Sequence, residues 1–434
     1  MAGNACLGTG FGDTCGRWRA VLVPGHAVPL LPVLIMATYL RFWFITLATL
    51  LAATIVLNYW VEPYGLYRPY GDGDWKPNGA SQGGLVKPYL VLRYAPRTLI
   101  LGNSRAEVGF DPSDTAWPKS AQPVFNLALP GTGTRVARRL HEHVLASHPP
   151  QNVVLGVDFM DFLVEPDAKP GEPEITRRLM VLPDGRINNR RWLQTMLDGA
   201  VTLASLDALL HSIDTLRVRG QPGAAHLTAT GFNPMHDYER IARDEGYFNM
   251  FRQRDIENIR AYQKRPKNLF SRGTHTSPAF EDVTAILDAA RARGIHVQVV
   301  IYPYHGHLLE TFRLTHTWGL FETWKRELAY RVAAHGHGSA TLWDFSGYHH
   351  YARETVPPAG DEQTVVRDYW EAGHFKKELG HQLLARLSGE GDPAFGVVLT
   401  PENVDAHLSA IRWDGTRYRA DRPDEIAPLE KLAQ

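Results

Sequence analysis

Three residues far apart in this sequence have the types and local spacing that acyl-serine chemistry needs. Ser104 closes the segment Thr98-Leu-Ile-Leu-Gly-Asn-Ser104-Arg105, an apolar run bounded by Gly102 that reads as a buried strand ending in a tight turn. Far downstream, Trp370-Glu371-Ala372-Gly373-His374-Phe375 sets a carboxylate and an imidazole at E-x-x-H spacing, just ahead of a helical run ending near Leu387. A hydroxyl nucleophile, an imidazole base and a carboxylate that orients it are then all on offer. Each has a plainer use: Ser104 as a turn residue capping the next helix, His374 as a cap or packing group at a helix start. Asp368 is a second candidate for the orienting carboxylate, ranked below Glu371.

Other polar residues near these segments invite two readings each. Arg105 suits contact with an anion or glycan, or a surface salt bridge. Asp158, at the end of Gly156-Val157-Asp158, suits substrate contact, orientation of Arg105, or hydrogen bonds to loop amides. His305 and His307 follow an apolar run and are candidate substrate ligands. A metal site is not expected there, because no third ligand is near and histidine is simply frequent, at 19 residues. Asp344 reads as structural, and Trp318, Phe321 and Trp324 read as helix core.

Positioning these groups requires a sheet. Strands are expected over residues 98–101, 124–127, 153–157, 296–302 and 341–345, with crossover helices over 135–147, 280–293 and 320–334. This alternation predicts an α/β fold, a three-layer parallel sheet of flavodoxin-like type, with Ser104 at the carboxyl edge where such sheets keep their sites. Residues 161–276 are too many for one crossover and read as a helical insertion, with helices near 191–216 and 238–263.

The chain has 434 residues, with 46 Lys plus Arg balanced by 46 Asp plus Glu, and no basic run that would favour nucleic acid. Its two cysteines, Cys6 and Cys15, precede everything else, so no thiol nucleophile or zinc–thiolate site is available downstream. No cofactor is expected. Residues 42–61 carry no charge and are about long enough to cross a bilayer. Arg41 before the run and Asn58, Tyr59 and Trp60 at its end favour an inside N-terminus, and bulky residues where a cleavage site would lie favour an uncleaved anchor. The expected organisation is an extension over 1–35, either disordered or excluded by a start at Met36, then an anchor over 36–62 and a linker over 63–87. The main domain follows over 88–390, and a tail with one short helix over 391–434.

Taken in chain order, Ser104, Gly131 in Asn126-Leu-Ala-Leu-Pro-Gly131, and His374 resemble the motifs of the SGNH, or GDSL-like, hydrolase superfamily. The nearest likeness is to membrane-anchored cell-envelope members, such as the proteins of alginate O-acetylation and of D-alanyl transfer to teichoic acid. The resemblance implies Ser104 as nucleophile, His374 as general base and then acid, and Glu371 as orienter. It also implies an oxyanion hole from the backbone N–H groups of Ser104 and Gly131, with the Asn126 or Asn103 side chain. Two positions depart from the family pattern: Asp158 stands where an asparagine is usual, and Glu371 where an aspartate is. Losing one oxyanion donor typically costs about 10²- to 10³-fold. The implied function is a serine acyl esterase or O-acyltransferase on an envelope polysaccharide, facing the periplasm or exterior from the inner membrane, with a membrane partner that exports the acyl group. The alternative is a catalytically silent domain that binds glycan or assists assembly; a plain anchored esterase is a third reading.

Overall fold

The computed structural model describes residues 30–66, 76–167, 169, 171–221, 223–224 and 226–434, with side chains described from residue 35 onward. Most of the expected N-terminal extension, both cysteines and the middle of the expected linker lie outside the described residues. The chain divides into two units between Ala53 and Thr54, within the first helix.

That helix, α1 (Leu30–Val61), starts earlier than the expected anchor. Its stretch Ile35–Val61 is long and apolar enough to cross a membrane. The chain then continues through α2 (Gly83–Tyr94), β1 (Thr98–Leu101), α3 (Ser104–Gly109), β2 (Val124–Asn126), α4 (Thr134–Leu145) and β3 (Asn152–Val157). Three helices of the insertion follow, α5 (Arg191–Ala204), α6 (Leu206–Arg217) and α7 (His236–Gln263), then α8 (Pro278–Arg291), β4 (His296–Ile301), α9 (Gly306–Leu314), α10 (Trp318–Gly336) and β5 (Ala340–Asp344). The last elements are β6 (Tyr369–Glu371), β7 (His374–Phe375), α11 (Lys377–Leu387), β8 (Val397–Val398), α12 (Val404–Asp421) and α13 (Pro423–Ala433).

Six strands form one sheet in the order β2-β1-β3-β4-β5-β8, parallel except for β8 at the edge. The first five follow a doubly wound order that reverses direction at β1 and β3, and ligands of such sheets gather beyond the carboxyl ends of the strands at that reversal. Ser104 follows β1 and Asp158 follows β3, so both stand there. The strands are apolar along nearly their whole length because both faces are covered: Leu99, Ile100 and Leu101 are all inaccessible to solvent. Helices α4, α8 and α10 pack side by side, and Phe321 and Trp324 of α10 form with Phe159, just after β3, a fully buried aromatic cluster with centroids 5.3 to 5.8 Å apart.

Three expectations are corrected. The linker expected over 63–87 ends early, since α2 begins at Gly83 and Lys87 is buried, donating to Glu107 Oε1 (2.7 Å) and the Ala128 carbonyl (2.6 Å). A glycine- and proline-rich composition hid a helix that tertiary packing stabilises. The tail after residue 391 is folded, supplying the edge strand β8 and helices α12 and α13, whose Leu408, Ile411, Ile426 and Leu429 enter the core. Within the insertion, the run expected over 191–216 breaks at Ser205 into two helices bent by 60°. There the Ser205 hydroxyl accepts from the Ala208 N–H and caps α6.

Candidate active site

Ser104, His374 and Glu371 meet. The Ser104 hydroxyl lies 2.8 Å from His374 Nε2, across 270 positions of sequence. On the other side of the ring, His374 Nδ1 bonds Glu371 Oε1. The carboxylate imposes the tautomer: with Nδ1–H donated to Glu371, Nε2 is left to accept from the serine.

Glu371 and His374 stand just ahead of α11, as the sequence predicts, and neither belongs to that helix. They lie on a two-stranded antiparallel hairpin, β6–β7, turned through Ala372 and Gly373. The turn is tight because the Gly373 N–H donates to Glu371 Oε2 (2.7 Å), and a Cβ on Gly373 would come within 3.1 Å of the Arg105 guanidinium. Glu371 is 1% exposed, so desolvation alone would raise its pKa. The His374 imidazole, the Arg254 guanidinium and the Gly373 N–H outweigh that penalty and hold the carboxyl down to about 2. Arg254 comes from α7, in the insertion, with Nε 3.6 Å from Glu371 Oε2 and its guanidinium also bonded to the Tyr238 hydroxyl (2.8 Å). Nothing in the local sequence around Arg254 marks it; only the packing of α7 on the hairpin does.

The residues around Ser104 form a second network. The Asn103 side chain caps α3 by accepting from the Arg105 N–H (3.1 Å), and its amide donates to Asp158 (3.2 Å) and Asp161 (3.3 Å). Arg105 is buried, donating through Nε to the Gly373 carbonyl (2.6 Å) and through the guanidinium to Asp158. Asp158 also accepts from the Tyr304 hydroxyl (2.9 Å). One arginine thus ties the helix that carries the serine to the end of β3 and to the turn that carries the histidine. It is neither a surface ion pair nor an open contact for substrate. Asp161, buried beside this cluster, has its carboxyl raised by burial to about 6, against the opposing pull of Arg105 and Asn103.

Two side chains expected at the site are committed elsewhere. Asn126 is fully buried, its amide donating to the carbonyls of Ala106 (2.8 Å) and Phe110 (2.9 Å) while its oxygen accepts from the Ala128 N–H (3.1 Å). It fixes α3 against β2 and has no hydrogen to offer an oxyanion. His305 is also fully buried, its Nε2 on the Glu354 carbonyl (2.8 Å) and its Nδ1 accepting from the His307 N–H (3.3 Å) as the cap of α9. His307 pairs with Asp255 (2.9 Å), so the two histidines diverge instead of sharing a ligand. Gly131, in the loop after β2, has φ +67° and open space where a side chain would stand, a conformation and clearance that leave its backbone accessible.

Beside the triad lies a cleft of about 690 Å³. Val108, one turn beyond Ser104 on α3, and Trp370, next to Glu371, both line it, together with Tyr247 and Lys376; Ser104 and His374 do not. No protein-family model matches the chain, and no curated protein matches it.

Proposed function

We propose that the domain is an SGNH-type acyl-transfer enzyme that works through an acyl-serine at Ser104. The observation that carries this reading is the hydrogen-bonded series Ser104 Oγ, His374 Nε2 and Glu371, anchored at its far end by a buried carboxyl group. His374 would take the hydroxyl proton as Ser104 attacks an ester carbonyl, then return it to the departing alcohol, with Glu371 stabilising the imidazolium. The developing oxyanion would rest on the backbone N–H groups of Ser104 and Gly131, since both nearby asparagine amides are otherwise engaged. Transfer of the acyl group to water makes the protein an esterase; transfer to a sugar hydroxyl makes it an O-acyltransferase. An envelope polysaccharide or acylated glycan is the substrate class we favour, from the family resemblance and from a domain that follows a helix able to cross a membrane. An acyl-exporting membrane partner would complete the transferase. The same committed asparagines favour one competing reading, a silent glycan-binding or assembly subunit.

The deciding experiment offers a chromogenic acetyl ester to the full-length protein in detergent, with Ser104→Ala and His374→Ala alongside and mass spectrometry for an adduct on Ser104. We expect ester cleavage and a serine adduct in the parent, both lost in the variants. Equal background rates in all three proteins, with no adduct, would shift the assignment to the binding subunit.

A further inference from the structure

Helices α5 and α6 are built inside out for water. Helix α5 turns Trp192, Met196, Leu197 and Val201 outward at 59 to 65% exposure, and α6 does the same with Leu206 and Leu210, at 71 and 59%. What the pair buries is small or polar: Asp198, Gly199 and Thr202 from α5, and Ala208, Ser212 and Thr215 from α6. A surface helix in water shows the reverse, its apolar stripe inward and its polar face to solvent. Small and hydroxyl-bearing residues between helices, with large apolar side chains outside, are the partition that suits lipid as the surrounding solvent.

The inward polar groups are satisfied, so the orientation is fixed and not a chance exposure. Asp198 accepts twice from Arg178 (2.8 and 2.9 Å) and once from the Tyr89 hydroxyl (2.7 Å). Thr202 and Thr215 bond the carbonyls one turn back, at 2.8 and 2.7 Å. Rotating α5 to hide its apolar face would take Asp198 from Arg178 and Tyr89, and rotating α6 would take Ser212 from Asn58, at about 1–3 kcal/mol for each group left unpaired.

The attachment point of the pair says what covers it. Asn58 sits three residues before the end of the Ile35–Val61 span and is inaccessible to solvent. Its amide donates to the Leu203 carbonyl (2.9 Å) and more weakly to that of Ser205 (3.4 Å), and its oxygen accepts from the Ser212 hydroxyl (2.9 Å). The bend between α5 and α6 is therefore fastened to the last turn of the helix that can cross a membrane. At about 1.5 Å per residue, that is within about 5 Å of the point where the span ends. Helices of 14 and 12 residues are too short to cross on their own, for which about 20 are needed. Bent by 60° at that level, they have the dimensions of an interfacial or shallowly re-entrant segment.

We propose that α5 and α6 form a second membrane attachment, with the face bearing Trp192, Met196, Leu197, Val201, Leu206 and Leu210 immersed in the acyl-chain boundary of the bilayer. The domain is then held by two points, not swung from a single helix, and its sheet edge keeps a fixed height above the lipid.

The test uses the full chain with Cys6→Ser and Cys15→Ser, reconstituted in vesicles of phosphatidylethanolamine and phosphatidylglycerol. Single Met196→Cys, Val201→Cys and Leu210→Cys variants carry an environment-sensitive fluorophore, with Tyr330→Cys on α10, 64% exposed, as the control. We expect blue-shifted emission at the three α5–α6 positions, quenching there by doxyl-labelled lipid, and iodide quenching at least about threefold weaker than at the control. Three labelled positions on one face keep the test decisive if one variant misfolds. Iodide quenching equal to that of the control, with no response to doxyl lipid, would overturn the proposal and leave the face to a protein partner.

Discussion

Arg254, on a helix of the insertion, places its guanidinium Nε 3.6 Å from the Glu371 carboxylate, on the oxygen that His374 does not use. The long excursion between β3 and β4 thereby reaches the Ser104–His374–Glu371 series directly.

Removing that arginine tests whether the excursion positions the triad. Arg254→Ala is expected to lower kcat on an acetyl ester by about 10-fold with little change in KM, and Arg254→Lys to recover part of the loss. Glu371→Gln, which abolishes the orienting charge itself, is expected to cost on the order of 10³- to 10⁴-fold. An unchanged kcat in Arg254→Ala would reduce α7 to a cover over the hairpin.

The buried Arg105–Asp158 pair should matter chiefly for stability. Asp158→Ala leaves the Arg105 guanidinium and the Tyr304 hydroxyl without their acceptor, and is expected to destabilise the domain by about 3–5 kcal/mol in urea titration. A loss below about 1 kcal/mol would mean that Arg105 reaches solvent when unpaired.

Helices α3 and α11 approach through two glycines. A Cβ on Gly380 would stand 1.8 Å from the Gly109 carbonyl oxygen, which is backbone and cannot step aside. Gly380→Ala is therefore expected to push α11 away from the helix bearing Ser104. Both thermal stability and the rate of Ser104 acylation should fall, by about 1–3 kcal/mol in stability. Wild-type acylation in a destabilised variant would separate this contact from the site.

Stability should also decline toward alkaline pH through His307. Burial by itself would lower its pKa, but Asp255 Oδ2 at 2.9 Å and Glu425 Oε2 at 3.5 Å outweigh burial and raise it to about 9. His305, pushed down by its own burial to about 3, stays neutral beside it. Because the folded pKa exceeds the unfolded value of about 6.5, the stabilisation is complete below about pH 6.5 and is lost as pH rises through about 9. Tm is expected to fall across that interval, and His307→Gln to flatten the fall while lowering Tm at pH 6.

Short-range pattern made part of the site legible. Ser104 could be found because a strand followed by a glycine turn is a local signal, and Glu371 with His374 because three residues of spacing suffice to read them as a pair. The helix that follows the pair was legible too, but not the hairpin that carries it, since strands of three and two residues are too short to leave a period. The family resemblance offered Asn126 to the oxyanion hole, and its place after a strand offered His305 to the site, whereas their bonding is decided by carbonyls at positions 106, 110 and 354.

By itself the sequence determined the alternation of strands and helices, the apolar helix able to cross a membrane, and the identity of a hydroxyl, an imidazole and a carboxylate at two turns. These follow from periodicity, length and residue chemistry, all properties of contiguous chain. Only the tertiary structure decided that Arg105 is buried as a clamp, that Arg254 supports Glu371, and that the leucines of α5 and α6 face outward. Each depends on contacts between residues tens to hundreds of positions apart, and on which side of an element the rest of the protein covers.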